Sequence, residues 1–368
     1  MAAVIYRPCY CTREEVKRAL DVKQAAYANV RVDRVIQSAT ESVEGLTQRK
    51  FFIMDDTRFK DWPNYDYSYP WRTWLDQDEL ADVTVNVPVV NSGGVVIANN
   101  TILWGDPTKP HAPFTYFELN RSLNSSFGNG PTPQREISIT GTFGYWLTLL
   151  GAGTLAASCL IGDQTITVSE GDTPGVGDLV IIDSERMIVT DATYTNTGIS
   201  PSGASTASAA DNIIGVPSGA AFAAGETVMY DTEWMLVQAI YGNNLTVKRA
   251  YDGSVLQAHT GGTLWARRLL TVLRGQLGTT AAGHNNGEAI SVLAIPGLVK
   301  DLAIAEAVTT LTGEVSGYAQ SNARGAGSAV RRTVSATSFT EPSPGVGLPD
   351  LRDRVMTRYG RQARSRVI

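Results

Sequence analysis

The chain is poor in cysteine, histidine and charge, and it has no long apolar run. Three cysteines in 368 residues, Cys9, Cys11 and Cys159, do not make a disulfide framework. Cys9 and Cys11 have the spacing of half a zinc site, but no second pair completes it, so no metal is expected. Ordinary reduced thiols point to assembly in a reducing cytoplasm. The longest apolar candidate, Trp146 to Ile161, is interrupted by Gly151, Gly153 and Ser158, too short and too broken for a membrane span of about 20 residues. No basic stretch followed by an apolar core opens the sequence, so no signal peptide is expected.

Enzyme signatures are missing as well. There is no Gly-x-Ser-x-Gly elbow, Walker loop, His-Glu-x-x-His or dinucleotide fingerprint. Gly141-x-x-Gly144 falls on a strand pattern rather than at a strand-to-helix turn, so it is not a phosphate loop. Asp76, Asp78, Glu79 and Asp82 would suit a paired-acid glycosidase, but they read as a solvated loop before a strand at Val83–Val87. No enzyme activity and no cofactor are expected. His111 sits in a Pro-His-Ala-Pro loop without a partner.

What the chain has in quantity is glycine, 35 residues, with charged residues at only 18%. That balance suits β structure with many turns, and the length allows two or three domains with real cores. The ends read differently. Thr12 and Glu15 form a capping box that opens a short helix with Val16 and Leu20 on one face. A longer helix follows, with Val32, Val35, Ile36, Ala39, Val43 and Leu46 at helical spacing. After Pro296-Gly297 the helical period returns in Leu298, Leu302, Ala305, Val308, Leu311, Val315 and Ala319. This helix should pack on the N-terminal pair, because none of the three can bury its stripe alone.

The middle of the chain duplicates itself. The stretch from Ile166 through Gly177 to Val189 recurs 48 residues later, from Ile214 through Gly225 to Val237, matching Asp183, Glu185 and Met187 with Asp231, Glu233 and Met235. A second element recurs at a period of 25, matching Arg249, Gly253, His259 and Gly262 with Arg274, Gly278, His284 and Gly287. The order of first halves and then second halves means nesting rather than tandem repetition. A β module at 212–266 is inserted in another built from 164–190 and 268–293, with the Ser/Thr/Ala/Gly-rich segment from Thr193 to Ala210 as the crossing linker. Duplicated histidines and arginines, each in the same slot of a turn, read as turn-holding residues rather than as chemistry.

The tail carries its own charge. From Ser321 to Ile368 nine arginines face three acids, a net +6, which leaves −11 on the rest of a chain whose total is −5. Gly325 to Gly347 reads as linker. Pro349 suits the first turn of a last helix, with Leu351, Val355 and Tyr359 along one side and arginines flanking them. In isolation this tail is expected to be unstructured and to order on a partner.

The order of a short capped helix, a longer helix and an aromatic-basic exit at Arg49-Lys-Phe-Phe52 resembles the start of the head–tail connector (adaptor) proteins of tailed bacteriophages. The resemblance continues through Leu75–Leu80, Ala81–Val87, Phe117–Arg121 and the strand Ile137–Tyr145. It covers about residues 10–147, with an echo in the last helix.

The resemblance implies an α+β fold, a helical bundle assembled from both chain ends with a β region and nested small β modules inserted. The expected parts are 1–52, the N-terminal helical part of the bundle; 53–150, the β region; 160–295, the nested modules; 296–322, the helix that completes the bundle; and 323–368, the linker and basic tail. It implies a structural virion protein in the neck between capsid and tail, assembled in the host cytoplasm, with no membrane partner. Twelve copies would form a closed ring on the portal protein, extend the channel for packaged double-stranded DNA, and offer a platform to the next neck protein or tail terminator. Portal docking would fall to Leu351, Arg352, Arg354, Val355, Arg358, Tyr359, Arg361, Arg364 and Arg366, with phosphate contact to DNA as a lesser role for the arginines. On the residues alone, the aromatic run of Trp62, Tyr65, Tyr67, Tyr69, Trp71 and Trp74 suits either sugar stacking or a subunit interface; the resemblance favours the interface. The alternatives are a carbohydrate-binding tail or decoration protein, which the central modules and the aromatic run would serve, and a cell-wall hydrolase using the acids at 76–82.

Overall fold

The computed structural model of the chain describes residues 5–20, 27–62, 71–75, 79–81, 89–92, 95–97, 101–105, 113–122, 126–128, 130–323 and 347–361. Thr12 Oγ1 accepts the Glu15 N–H at 3.2 Å while Glu15 Oε2 accepts the Thr12 N–H at 2.9 Å, and this reciprocal cap starts α1 (Arg13–Ala19). Helix α2 (Asn29–Thr47) buries Val32, Val35, Ile36, Ala39 and Val43 along one face. It stops where Gln48 turns left-handed, with φ 55°.

Strands β1 (Met54–Lys60), β2 (Arg72–Trp74), β3 (Val89–Ser92), β4 (Val95–Val96), β5 (Thr101–Gly105), β6 (Phe114–Leu119) and β7 (Ile137–Phe143) make two small antiparallel sheets, ordered β1-β7-β3-β4 and β2-β6-β5. Inward residues of both enclose one core, with Leu75, Leu80, Phe117, Ile137, Ile139 and Phe143 at its centre. The expected strand at Val83–Val87 lies outside the described residues.

A larger antiparallel sheet follows. Its ten strands are β8 (Leu149–Thr154), β9 (Thr165–Thr167), β10 (Leu179–Ile182), β11 (Glu185–Asn196), β12 (Ile213–Gly215), β13 (Thr227–Tyr230), β14 (Glu233–Tyr241), β15 (Asn244–Lys248), β16 (Leu264–Leu273) and β17 (Ala289–Leu293). They run in the order β12-β15-β14-β13-β16-β11-β10-β17-β8, with β9 beside β16. The pairing is nested. The hairpin β10–β11 pairs outward to β17 and β16, and the matching hairpin β13–β14 pairs to β15 and to the start of β16. Each hairpin turns at an aspartate with positive φ, Asp183 at 53° and Asp231 at 54°, a conformation that aspartate tolerates better than most residues. The inner module has a core of its own, built from Val228, Tyr230, Met235, Val237, Leu245 and Leu264 among others. Two strands tie the modules together. Leu264–Ala266 of β16 pair with the inner β13, and Leu269–Leu273 of the same strand pair with the outer β9 and β11. Thr193–Asn196, expected as linker, are the far end of β11 and pair with β16.

Helices α3 (Gly297–Ala323) and α4 (Leu348–Tyr359) complete the described elements. The buried line of α3 is Val299, Leu302, Ala303, Ala307 and Leu311; Leu298, Ala305 and Val308 of the expected stripe are only half-buried. The side chains of Val315 and Ala319 lie outside the described set.

The architecture corrects the expected fold class. Among the described residues the protein is mostly β, with a ten-stranded sheet and two smaller ones against four helices, and it is not a helical bundle with small β inserts. The reason lies in what covers the helices. Their apolar faces join those of the outer module in one continuous core, in which Val16, Val35, Ile36, Leu302 and Ala303 share the interior with Val176, Leu179, Ile182 and Val189. The backbone enforces this contact. Cys9 N–H donates to Gly177 O at 2.8 Å and Arg13 N–H to Val176 O at 3.0 Å. Arg13 is buried between Asp33 of α2 and Asp191 of β11, at 2.7 and 2.8 Å. Helical periodicity reveals an apolar face but not its partner. The small β1 sheet is held to the outer module at Gly278 (φ 86°), where a Cβ would stand 2.1 Å from Asp55 O, and Asp55 N–H donates to Leu277 O at 2.9 Å.

Candidate functional site

Helix α4 is seated on the chain's own helices. Leu351 and Val355 are 6% and 0% exposed in the shared core. Tyr359 meets the rings of Phe51 and Tyr145 edge-on, at 5.6 and 6.2 Å. Arg352 Nε donates to Glu306 Oε1 of α3 at 2.9 Å, and the Arg361 N–H donates to Thr47 O of α2 at 3.0 Å. Arg354 and Arg358 point outward and are exposed. The expected portal-docking set is thus split. Its apolar members lie against α2, α3 and the Phe51 region, two arginines face solvent, and Arg364 and Arg366 lie outside the described residues. The expectation of an unstructured tail does not hold for residues 348–361, because the apolar side of the helix finds cover within its own chain.

Beside the end of α4 lies a cleft of about 260 Å³, lined by Arg49, Lys50, Arg58 and Arg361 with Glu44 and Glu79. Glu79 is 5% exposed and is approached by Arg49 at 3.5 Å and Arg361 at 3.4 Å. The Arg49 guanidinium also lies 4.1 Å over the Tyr145 ring. Four cations against two carboxylates, beside the C-terminal end of α2, leave a positive surface next to the last helix. Glu79 belongs to this cluster, and the other acids of the suspected pair, Asp76, Asp78 and Asp82, lie outside the described residues, as does His111.

The aromatic set divides too. Trp62 and Trp71 pack against the core of the small sheets, Trp62 with Phe127 at 4.9 Å, and Arg121 covers Trp71 at 4.4 Å. Trp74 faces the other way. In the register of the three-stranded sheet it is opposite Tyr116, which is opposite Trp104. The rings are 4.5 and 6.1 Å apart, the second pair nearly parallel at 10°. The adjoining row is Arg72, Glu118 and Ile102, with Arg72 Nε donating to Glu118 at 2.7 Å. Trp104 is 44% exposed. Tyr65, Tyr67 and Tyr69 lie outside the described residues. Tyr116 and Trp104 were missed in the sequence, although the alternation Ile102-x-Trp104 and Tyr116-x-Glu118 marks them as sharing one face.

The duplicated histidines and arginines close on duplicated glutamates. Arg249 holds Glu233 in a fork at 2.7 and 2.8 Å, Ala250 and Gln257 donate backbone N–H groups, and His259 Nε2 lies 3.0 Å away. Arg274, Gly275, Ala282 and His284 surround Glu185 in the same way. Burial favours the neutral acid at both glutamates, but the arginine fork, the histidine and the backbone donors outweigh it and hold each at about 2. In the outer cluster Arg274 also reaches the Cys159 sulfur at 2.8 Å, and burial pushes that thiol up; each cluster ties a β-hairpin to a later turn.

No family model, curated protein or solved structure matches the chain.

Proposed function

We propose that this chain is a head–tail connector subunit of a tailed-phage neck. Twelve copies form a ring on the portal, extend the DNA channel, and present a platform to the next neck protein or tail terminator. The observation that carries this reading is α4, a helix with an apolar side, exposed Arg354 and Arg358, and a seat made by a few side chains at the junction of the two chain ends. In this reading the helix is stowed on its own subunit before assembly and transfers its Leu351–Val355–Tyr359 side to the portal, while its arginines meet acidic portal groups or DNA phosphates. The positive cleft beside it supports the same placement near nucleic acid. The test is co-assembly with the phage's portal protein, comparing the full chain with one truncated after Gly347, by electron microscopy and sedimentation. A ring formed only by the full chain supports the reading. A full chain that stays monomeric in the presence of portal defeats it.

The rival reading, a carbohydrate-binding tail or decoration protein, is favoured by one observation, the aromatic row Trp74–Tyr116–Trp104, half-buried at its first two rings and exposed at Trp104, since aromatic rings stack on sugar faces. Glycan binding that Trp104→Ala abolishes, together with indifference to portal, would decide for it.

A further inference from the structure

The outer module carries one carboxylate that the inner module lacks. In both, the buried glutamate is already saturated by its arginine, two backbone N–H groups and a histidine Nε2. A carboxylate surrounded by donors accepts, so Nε2 carries a proton toward Glu185, and Nδ1 on the opposite side is the nitrogen that would give its lone pair to an ion, releasing any proton it holds. There Nδ1 faces two carboxylates, Asp183 Oδ2 at 3.1 Å and Glu288 Oε2 at 3.2 Å, and the three atoms lie within 4.8 Å of one another. In the inner module His259 Nδ1 meets Asp231 Oδ2 alone, at 2.6 Å. The position matching Glu288 is Thr263.

These separations differ in length, though each lies within hydrogen-bond reach. At 2.6 Å the inner pair is a closed, charge-assisted hydrogen bond. Around an ion with bonds of about 2.1 Å, neighbouring ligand atoms stand roughly 3.0–3.4 Å apart, which is the spacing at His284. The His284 side chain is 1% exposed, whereas Asp183 is 65% and Glu288 25% exposed. The cluster is therefore walled by protein on the imidazole side and open to water on the carboxylate side. Glu185, accepting from Nε2, stands where a carboxylate orients and polarises a ligating histidine. Arg274 offsets the charge of Glu185, which leaves two negative charges on the three remaining groups to balance a divalent ion.

We infer that Asp183, Glu288 and His284 Nδ1 bind a divalent transition-metal ion, with Glu185 as a positioning residue and water completing the coordination. One imidazole with two carboxylates suits Zn²⁺ or Mn²⁺ rather than Ca²⁺ or Mg²⁺, which take oxygen ligands alone. The ion would staple the β10–β11 turn to the turn before β17. The site is independent of the connector reading.

The experiment is titration calorimetry of the full chain, freed of metal by chelator, with Zn²⁺, Mn²⁺ and Ca²⁺ in turn, alongside thermal melts. One saturable Zn²⁺ or Mn²⁺ site per chain, with a raised melting temperature, is expected. Glu288→Gln and Asp183→Asn, both at solvent-facing positions, should each weaken it roughly 10–100-fold while leaving the metal-free melt near that of the parent. Asp231→Asn, in the inner module, should leave metal affinity unchanged. Absence of saturable binding, binding that survives the Glu288 and Asp183 changes, equal loss on Asp231→Asn, or Ca²⁺ bound as tightly as Zn²⁺ would each overturn the assignment.

Discussion

Replacing Val355 with alanine should loosen α4 without unfolding the protein. Val355 is 0% exposed and lies between α2 and α3. Truncation removes two methyl groups, at about 0.8 kcal/mol each, and the remaining cavity raises the loss to about 2 kcal/mol. The seat is small. Leu351 and Val355 contribute roughly 2 kcal/mol each by burial, and the edge-on rings at Tyr359 add about 1 kcal/mol. The half-exposed Arg352–Glu306 pair adds less than about 1 kcal/mol. Against these stands the ordering of a helix of 12 residues, too short to persist alone. These terms oppose one another, and losing about 2 kcal/mol of the hold raises the open population roughly 30-fold. Hydrogen exchange by mass spectrometry resolves this, because the amides of 348–360 should exchange roughly 30-fold faster while α2 and the outer module keep their protection. Val355→Asp, which buries a charge, should abolish protection of α4 altogether. If Val355→Ala leaves the exchange of α4 within about twofold of the parent, or if α2 and α3 lose protection in step with it, α4 is not a separately detachable element.

Glu233→Gln leaves the Arg249 guanidinium buried without its counter-charge and should cost about 3–5 kcal/mol, read as a lowered urea midpoint. Glu185 and Glu233 are held at about 2, well below the ordinary 4.5, so each contributes about 3 kcal/mol of stability that is complete above pH 4.5 and is lost as pH falls toward 2. Acid titration of Glu233→Gln should accordingly show a shallower loss in that window, by about one proton, and an unchanged slope would refute the account. Gly278→Ala places a methyl group 2.1 Å from Asp55 O and should lower the melting temperature and raise exchange in β1. Arg354→Glu with Arg358→Glu should leave the melt unchanged and, under the proposed connector function, abolish association with portal.

Some of this was readable in the residues and some was not. The capping box at Thr12 and Glu15 is a purely local device, so its spacing alone locates the start of α1. The matched positions of Asp183, Glu185, Arg274 and His284 with Asp231, Glu233, Arg249 and His259 flagged groups that meet around one glutamate, because a buried ion cluster must be duplicated whole. The cover of a face was not readable. Leu351, Val355 and Tyr359 announce an apolar side equally well whether it meets a portal or α2. Likewise the stripes of α2 and α3 do not say that the outer module shares their core, and this is how the fold class came to be misjudged. In α3 the mixture of small and branched residues, Val299, Ala303 and Ala307 beside Leu298 and Val308, blurs the period by about one position. Trp62, Trp71 and Trp74 look alike in sequence, and only the pleat of β2 sends Trp74 to the outer side.

The nested pairing also sets an order of events during folding. Asp191 of β11 and Thr271 of β16 are partners, yet roughly 80 residues separate them, and closing so long a loop costs about 4 kcal/mol of chain entropy. The contacts of the inner core are more local, and they can form first. Ile199 packs on that core and Leu264 lies within it, so once it has formed the loop left to close is about 15 residues, which lowers the closure cost by about 1.5 kcal/mol. The inserted module thus serves as a folding template for its host, and damage to its core should slow the pairing of β11 with the outer half of β16.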